Sequence, residues 1–339
     1  MRRFFCLCGH EIYFANTRCV SCDRAIGFDP KSRTLHCGQL KGDYLEAETH
    51  NTQERLRFRC CEHRHEPLVC NWLLSPDEQN AQCPACRSTR TIPDQSLAKN
   101  PIRWFRLEKS KRRLFYTLLS LGLDVRAHHE IPDGLAFDFL EDRRTNPQST
   151  LEHVLTGHHN GLITLNAAEA DEGFLHTMKE AMGENYRTVL GHFRHEIGHY
   201  YWMKLIGPDQ IEEFRALFGD ERADYARSLQ AYYDAGPPPD WQEHFISPYA
   251  SAHPHEDWAE SWAHYMHITD TLESAHAYAL TDYDATHHCF DLWIAQWGHV
   301  VKIMNALNRS MGLADAYPFI LSRSVVHKLR FIFKVVTQP

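Results

Sequence analysis

The stretch of this chain best equipped for chemistry is His195-Glu196-Ile197-Gly198-His199. On a helix, positions four apart lie one turn apart on one face. His195 and His199 can therefore aim two imidazoles at a single zinc ion. Glu196 stands beside the first of them, where a carboxylate can take a proton from metal-activated water. Neutral imidazoles hold zinc without cancelling its charge, which keeps that water acidic. A chain with 24 histidines meets so short a pattern by chance more often than most. The flanks argue against chance. Val189, Leu190, Phe193, Ile197, Tyr200 and Trp202 are too apolar for an exposed helix, and Gly207-Pro208 stops it. A buried helix with two histidines and a glutamate must satisfy those groups, and a metal ion does so.

A catalytic zinc takes three protein ligands and keeps a position open. Residues 251–267 supply candidates for the third. Pro254 suits a helix start, and Glu256, Glu260, His264 and His267 recur at helical spacing on one stripe. Trp258, Trp262 and Tyr265 add bulk, while Ala259 and Ala263 permit close helix packing. Glu256 is the expected third ligand. Its setting, Glu256-x-x-Ala259-Glu260-x-x-Ala263, resembles the E-x-x-A-[N/D/E]-x-x-A helix that carries this ligand in several gluzincin metallopeptidases. Glu260 then accepts the free N–H of a ligand histidine. Glu260 itself, or Asp220, remains an alternative ligand. For stabilising an oxyanion, Tyr265, His264 and His267 are candidates, though each taken singly reads better as structural. His253 and His255 could line the same site.

Ten of the eleven cysteines precede residue 87. Cys6 and Cys8 are followed by Cys19 and Cys22, the latter two in a C-x2-C knuckle whose thiolates can reach one ion. All four are expected to hold a structural zinc, with His10 able to replace one of the first pair. In a second set, Cys83-Pro84-Ala85-Cys86 is the clear knuckle and Cys70 the natural third ligand. Cys61 or Cys60 completes it, with His63 and His65 as competitors. Adjacent cysteines point in different directions, so only one of Cys60 and Cys61 should serve. Cys37 reads as a small buried residue.

These residues need elements to position them. Residues 1–98 read as a metal-stabilised zinc-ribbon module of short strands, such as 11–14 and 55–58, with a small core. The polar stretch 88–100 reads as a linker, and 99–339 as a mostly helical domain with a small sheet. The fold class is therefore α+β. Helices are expected over 102–121, 172–182, 210–218, 221–233, 290–311 and 319–336, with strands over 135–140 and 161–166. The basic run at 109–113 reads as a solvated helix face. Residues 162–165 are a candidate edge for an extended substrate by strand addition, or else an ordinary internal strand.

A chain of 339 residues is long enough for a sizeable core. The net charge of −8 argues against broad nucleic-acid or membrane-surface binding. No stretch approaches a membrane span, and the N-terminus shows no apolar signal region. Paired cysteines without a signal peptide read as metal sites in a reducing, cytoplasmic setting. No G-x-S-x-G, P-loop, G-x-G-x-x-G or internal repeat is present.

Several longer strings resemble one family. Cys70-Asn71-Trp72-Leu73, Cys83-Pro84-Ala85-Cys86 and Arg90-Thr91-Ile92-Pro93-Asp94 are similar to the N-terminal ribbon of the bacterial zinc-binding metallopeptidases. The strings 191–202 and 256–265 are similar to their H-E-x-x-H domain. The resemblance spans nearly the whole chain and implies a gluzincin-like, zincin-type catalytic domain. Cys60, an extra thiol before Cys61, departs from the pattern. The reading is then a zinc metallopeptidase with one catalytic and two structural zinc ions, Glu196 as general base, and a peptide or protein substrate. The alternative is a ribbon that binds protein or nucleic acid, joined to an inert or regulatory zincin domain. A zinc hydrolase acting on another bond is a third reading.

Overall fold

The computed structural model describes residues 1–48, 55–174, 188–284 and 288–337. The chain packs as two compact units, one of Arg3–Phe193 and one of Arg194–Pro339 with Met1–Arg2. Among the described residues no helix is long and apolar enough to cross a membrane. The class is α+β, with small antiparallel sheets and cysteine clusters near the N-terminus and a mainly helical part with a small sheet after them.

In the first unit, β1 (Phe4–Phe5) and β2 (Glu11–Ile12) pair antiparallel. An antiparallel sheet follows, in the order β3 (Ala25–Asp29), β4 (Thr34–Lys41), β5 (Tyr44–Glu48), β6 (Arg55–Cys60) and β7 (Leu73–Leu74). Strand alternation turns Leu45 and Ala47 inward, against Ala25, Cys60 and Leu73. Position 38 must be glycine, because a Cβ there would lie 1.9 Å from the Glu46 carbonyl oxygen. Beyond this cluster, Phe14, Phe28 and Trp72 are buried together.

After the single-turn helix α1 (Pro84–Arg87) come β8 (Thr89–Thr91), α2 (Asn100–Ser120), β9 (Ala136–Leu140), β10 (Gly157–His159) and β11 (Leu162–Asn166). These strands form a sheet in the order β10-β11-β9-β8. Three expectations change here. The stretch read as a linker contributes β8, paired parallel to β9. β11 is flanked on both sides, by β10 and β9, so it offers no free edge for a substrate and is an internal strand. The basic run on α2 is solvated only in part: Lys109 and Arg113 are exposed, but Lys111 is fully buried and pairs with Glu108 at 2.9 Å. Arg112 is also buried and donates to the Leu68 carbonyl. From residue 175 on, the expected helix 172–182 lies outside the described residues.

Next comes α3 (Val189–Leu205), which carries the histidine motif; its residues from Arg194 on belong to the second unit. The other helices of that unit are α4 (Ile211–Phe218), α5 (Tyr225–Ala235), α6 (Trp241–His244), α7 (Pro254–Ala277), α8 (Phe290–Ser310) and α9 (Arg323–Thr337), with a 3-10 turn at Tyr249–Ala252. α5 begins four residues later than expected because Asp224 caps it, accepting from the Arg227 N–H. The core is aromatic, with Trp258 against Phe218 and Phe331, and Tyr265 against Trp293 and Phe333.

On α7, Asp257 faces away from its neighbour Glu256 and meets Lys328 of α9 at 2.6 Å, both side chains nearly sealed from solvent. Lys328 also donates to the His244 carbonyl. Removing one partner strands the other charge in a low-dielectric interior. Lys328→Met is therefore expected to destabilise the chain by about 3–5 kcal/mol in urea unfolding; a loss below about 1 kcal/mol, the size of a surface pair, would contradict this account.

Candidate metal centre

α3 and α7 cross closely enough that their side chains share one site. Gly198 makes this possible, since a Cβ there would lie 3.1 Å from both Ala259 Cα and Trp262 Cδ1. The Trp258 indole donates to the Gly198 carbonyl at 2.8 Å, and Tyr201 stacks on Trp262. The start of α7 is set by His253, an extended N-cap residue whose Nδ1 accepts from the His255 N–H. Pro254 follows at the first helical position, where no N–H is needed. Glu256 thus falls in the first turn, where the helix dipole favours a carboxylate.

The result is a convergence of lone pairs. His195, His199 and Glu256 each bring a ligand atom within 4.8 Å of the others. Nε2 of His195 lies 3.3 Å from Nε2 of His199 and 3.0 Å from Oε2 of Glu256. Glu260 Oε1 lies 2.7 Å from Nδ1 of His195. A proton on Nδ1 donates to it and leaves Nε2 as an acceptor. Glu256 is 1% exposed, and among the described residues its Oε2 meets no donor outside the cluster. Imidazole nitrogens and a carboxylate that converge in a buried site must be bridged, by a shared proton or by a cation.

The electrostatics agree. Burial opposes a charged His195, yet its hydrogen bonds to Glu256 and Glu260 hold its pKa well above the usual histidine value. Burial likewise opposes ionised Glu256, but His199 and His195 keep it below the ordinary carboxylate range. Glu260 is held down to about 2 against its burial, chiefly by His195, with Ser247 contributing. The carboxylates around His195 thus favour positive charge at the centre of the cluster. The donor set of two imidazoles and a carboxylate fits zinc with an open position.

Two sets of cysteines also converge, Cys6, Cys8, Cys19 and Cys22, and Cys61, Cys70, Cys83 and Cys86. None of these thiols forms a disulfide. Sulfur pairs stand 3.5 Å (Cys6–Cys22), 3.7 Å (Cys8–Cys19) and 3.8 Å (Cys70–Cys83, Cys70–Cys86) apart. A tetrahedron with zinc–sulfur bonds of ~2.3 Å has edges of ~3.8 Å, whereas a disulfide needs ~2.05 Å. Cys61, not Cys60, joins the second set; Cys60 turns into the β-sheet core. His63 packs instead against Trp104. Arg112, whose burial the sequence did not suggest, is kept charged against that burial by Cys70 and Cys86. It can offset the net negative charge of four thiolates on one zinc.

Residues 100–335 match the family described as "Putative zinc-binding metallo-peptidase", and residues 3–97 match a zinc-ribbon domain. The chain belongs to this metallopeptidase family. An uncharacterized protein of Mycobacterium tuberculosis strain H37Rv is similar at 39% identity over 350 residues, covering 100% of this chain and 96% of that protein. An uncharacterized protein of Mycobacterium bovis is similar to the same extent. No solved structure matches the chain.

In this family member two expected site residues lie elsewhere. Tyr265 is buried among Trp262, Trp293 and Phe333, and its burial pushes the phenol pKa up. Nδ1 of His264 is 2.7 Å from the Tyr317 hydroxyl, and burial lowers its pKa to about 4. Both belong to the packing of α7. His267 lies against Trp297 and Tyr317. Asp220, the alternative ligand, pairs with Arg222, and Glu260 serves Nδ1 of His195. Two tyrosines not singled out by sequence do border the ligands. Tyr225 donates to Glu256 Oε1 at 2.7 Å, and the Tyr249 ring lies 6.1 Å from that of His195. No motif spacing links either to the histidine pair.

Because the site depends on the close approach at Gly198, Gly198→Val is expected to force α3 from α7. It should cost about 1–3 kcal/mol and release the metal held by the histidines, while the cysteine-held metal stays. Wild-type stability and metal content in that variant would show that the contact is not limiting.

Proposed function

We propose that the chain is a zinc-dependent metallopeptidase that hydrolyses peptide bonds of a peptide or protein substrate, with Glu196 as general base. The observation that supports this most is the convergence of His195, His199 and Glu256 with Glu196 next in sequence to the first ligand. Bound there, zinc would supply Lewis-acid character, making a water more acidic and polarising the scissile carbonyl. Glu196 is 7% exposed, and its charge is felt by Tyr225 and Tyr249 beside the ligands. It takes the proton of the attacking water and later gives it to the leaving amine. Glu260 holds the His195 ring in the tautomer that leaves Nε2 free. The two cysteine sets are proposed as structural zinc sites that stabilise the small N-terminal sheets. Ten cysteines concentrated in that region suit a reducing compartment, which makes the cytoplasm the proposed location.

Glu196→Gln tests the assignment of the base. It keeps the shape and removes the proton acceptor. Turnover of a peptide found by substrate screening is expected to fall by about 10²–10⁴-fold or more, with zinc content unchanged. Cleavage at the wild-type rate by the zinc-loaded variant would contradict the mechanism.

A further inference from the structure

Each oxygen of a sealed carboxylate needs a partner. In Glu256 the two are divided. Oε1 accepts the Tyr225 hydroxyl at 2.7 Å and stands 3.5 Å from Nε2 of His199. Oε2 points to the cluster, 3.0 Å from Nε2 of His195, and among the described residues no group outside the cluster donates to it. We propose that Tyr225 is a positioning residue for the metal ligand: its hydroxyl holds Oε1 of Glu256 and so presents Oε2 to the ion shared with His195 and His199. This rests on reading those three residues as a zinc site.

The placement of Tyr225 supports a role for its oxygen rather than its ring. Tyr225 opens α5, a helix with no buried side chain, and it remains 44% exposed itself. A tyrosine retained for packing would be covered; this one leaves its ring partly in solvent and sends its hydroxyl to a carboxylate that is 1% exposed. The backbone that carries it is tied to the same helix start as the ligand. The Ala223 carbonyl lies 3.1 Å from Nε2 of His253, and the Tyr225 ring packs edge-on against the His253 ring at 5.1 Å. His253 is the N-cap of α7, three residues before Glu256. Phenol and carboxylate are therefore fixed to one another through His253, and Glu256 is not free to turn both oxygens to the metal.

Tyr225→Phe deletes the one oxygen and keeps the ring. In the full chain, titration against a zinc chelator is expected to show the histidine-held zinc bound about 10–100-fold more weakly, with the cysteine-held zinc retained and circular dichroism unchanged. Tyr233→Phe makes the same deletion on the same helix at a 63% exposed position, and it is expected to keep wild-type affinity. Equal zinc affinity in Tyr225→Phe and wild type, whatever the turnover, overturns the inference and leaves the zinc site standing. A wild-type chain that takes up no zinc at His195 overturns the site and the inference together.

Discussion

The candidate metal centre depends on how closely two helices approach at Gly198. A residue with a side chain there would meet the backbone of Ala259 and the ring of Trp262 at 3.1 Å. Without that side chain, α3 and α7 come near enough for ligands from each to share one ion. The indole of Trp258 donates to the Gly198 carbonyl, so it packs the crossing and satisfies a backbone group there. The same residue that gives the motif its fourth position is thus the residue that lets the third ligand arrive from another helix.

Burial makes the polar groups at the crossing selective. Two atoms on the outer side of the cluster have partners elsewhere, Glu260 for Nδ1 of His195 and the Tyr225 hydroxyl for Oε1 of Glu256. The atoms that face inward are left to one another, an arrangement that suits a shared cation. On the next residue of α7 the problem is solved differently. Asp257 turns from the site and is neutralised by Lys328, so one helix turn carries two adjacent acids with separate counter-charges. The cysteine clusters follow the same logic, with Arg112 buried beside thiols whose combined charge it offsets.

Much of this was legible in the sequence because it is local. The spacing of His195 and His199, the proline before Glu256 and the C-x2-C knuckles each act within about one helical turn or one tight loop. Glu256 could be paired with the histidines because its setting resembles the E-x-x-A-[N/D/E]-x-x-A helix of gluzincin metallopeptidases. What the sequence hid was long-range. Tyr225 reaches Glu256 across 31 positions with no shared motif. Residues 89–91 carry too few apolar side chains to look like a strand, yet pair with β9. Lys111 and Arg112 looked solvated because the partners of their buried charges, Glu108 and the second cysteine set, are visible only once the chain folds. His264 was placed at the site by its helical stripe, and Tyr265 as a neighbour of that stripe able to stabilise an oxyanion. Eight residues along a helix is ~12 Å, however, and at that distance from Glu256 the stripe has passed into the aromatic core.

The most direct test is the zinc content of the purified full chain, measured beside His195→Ala and Glu256→Ala. Three ions per wild-type chain, and two in each folded variant with both cysteine sets still loaded, is the expected result. Two ions in wild type with no change in either variant would mean that His195, His199 and Glu256 do not hold a metal, and the account of the centre would fall.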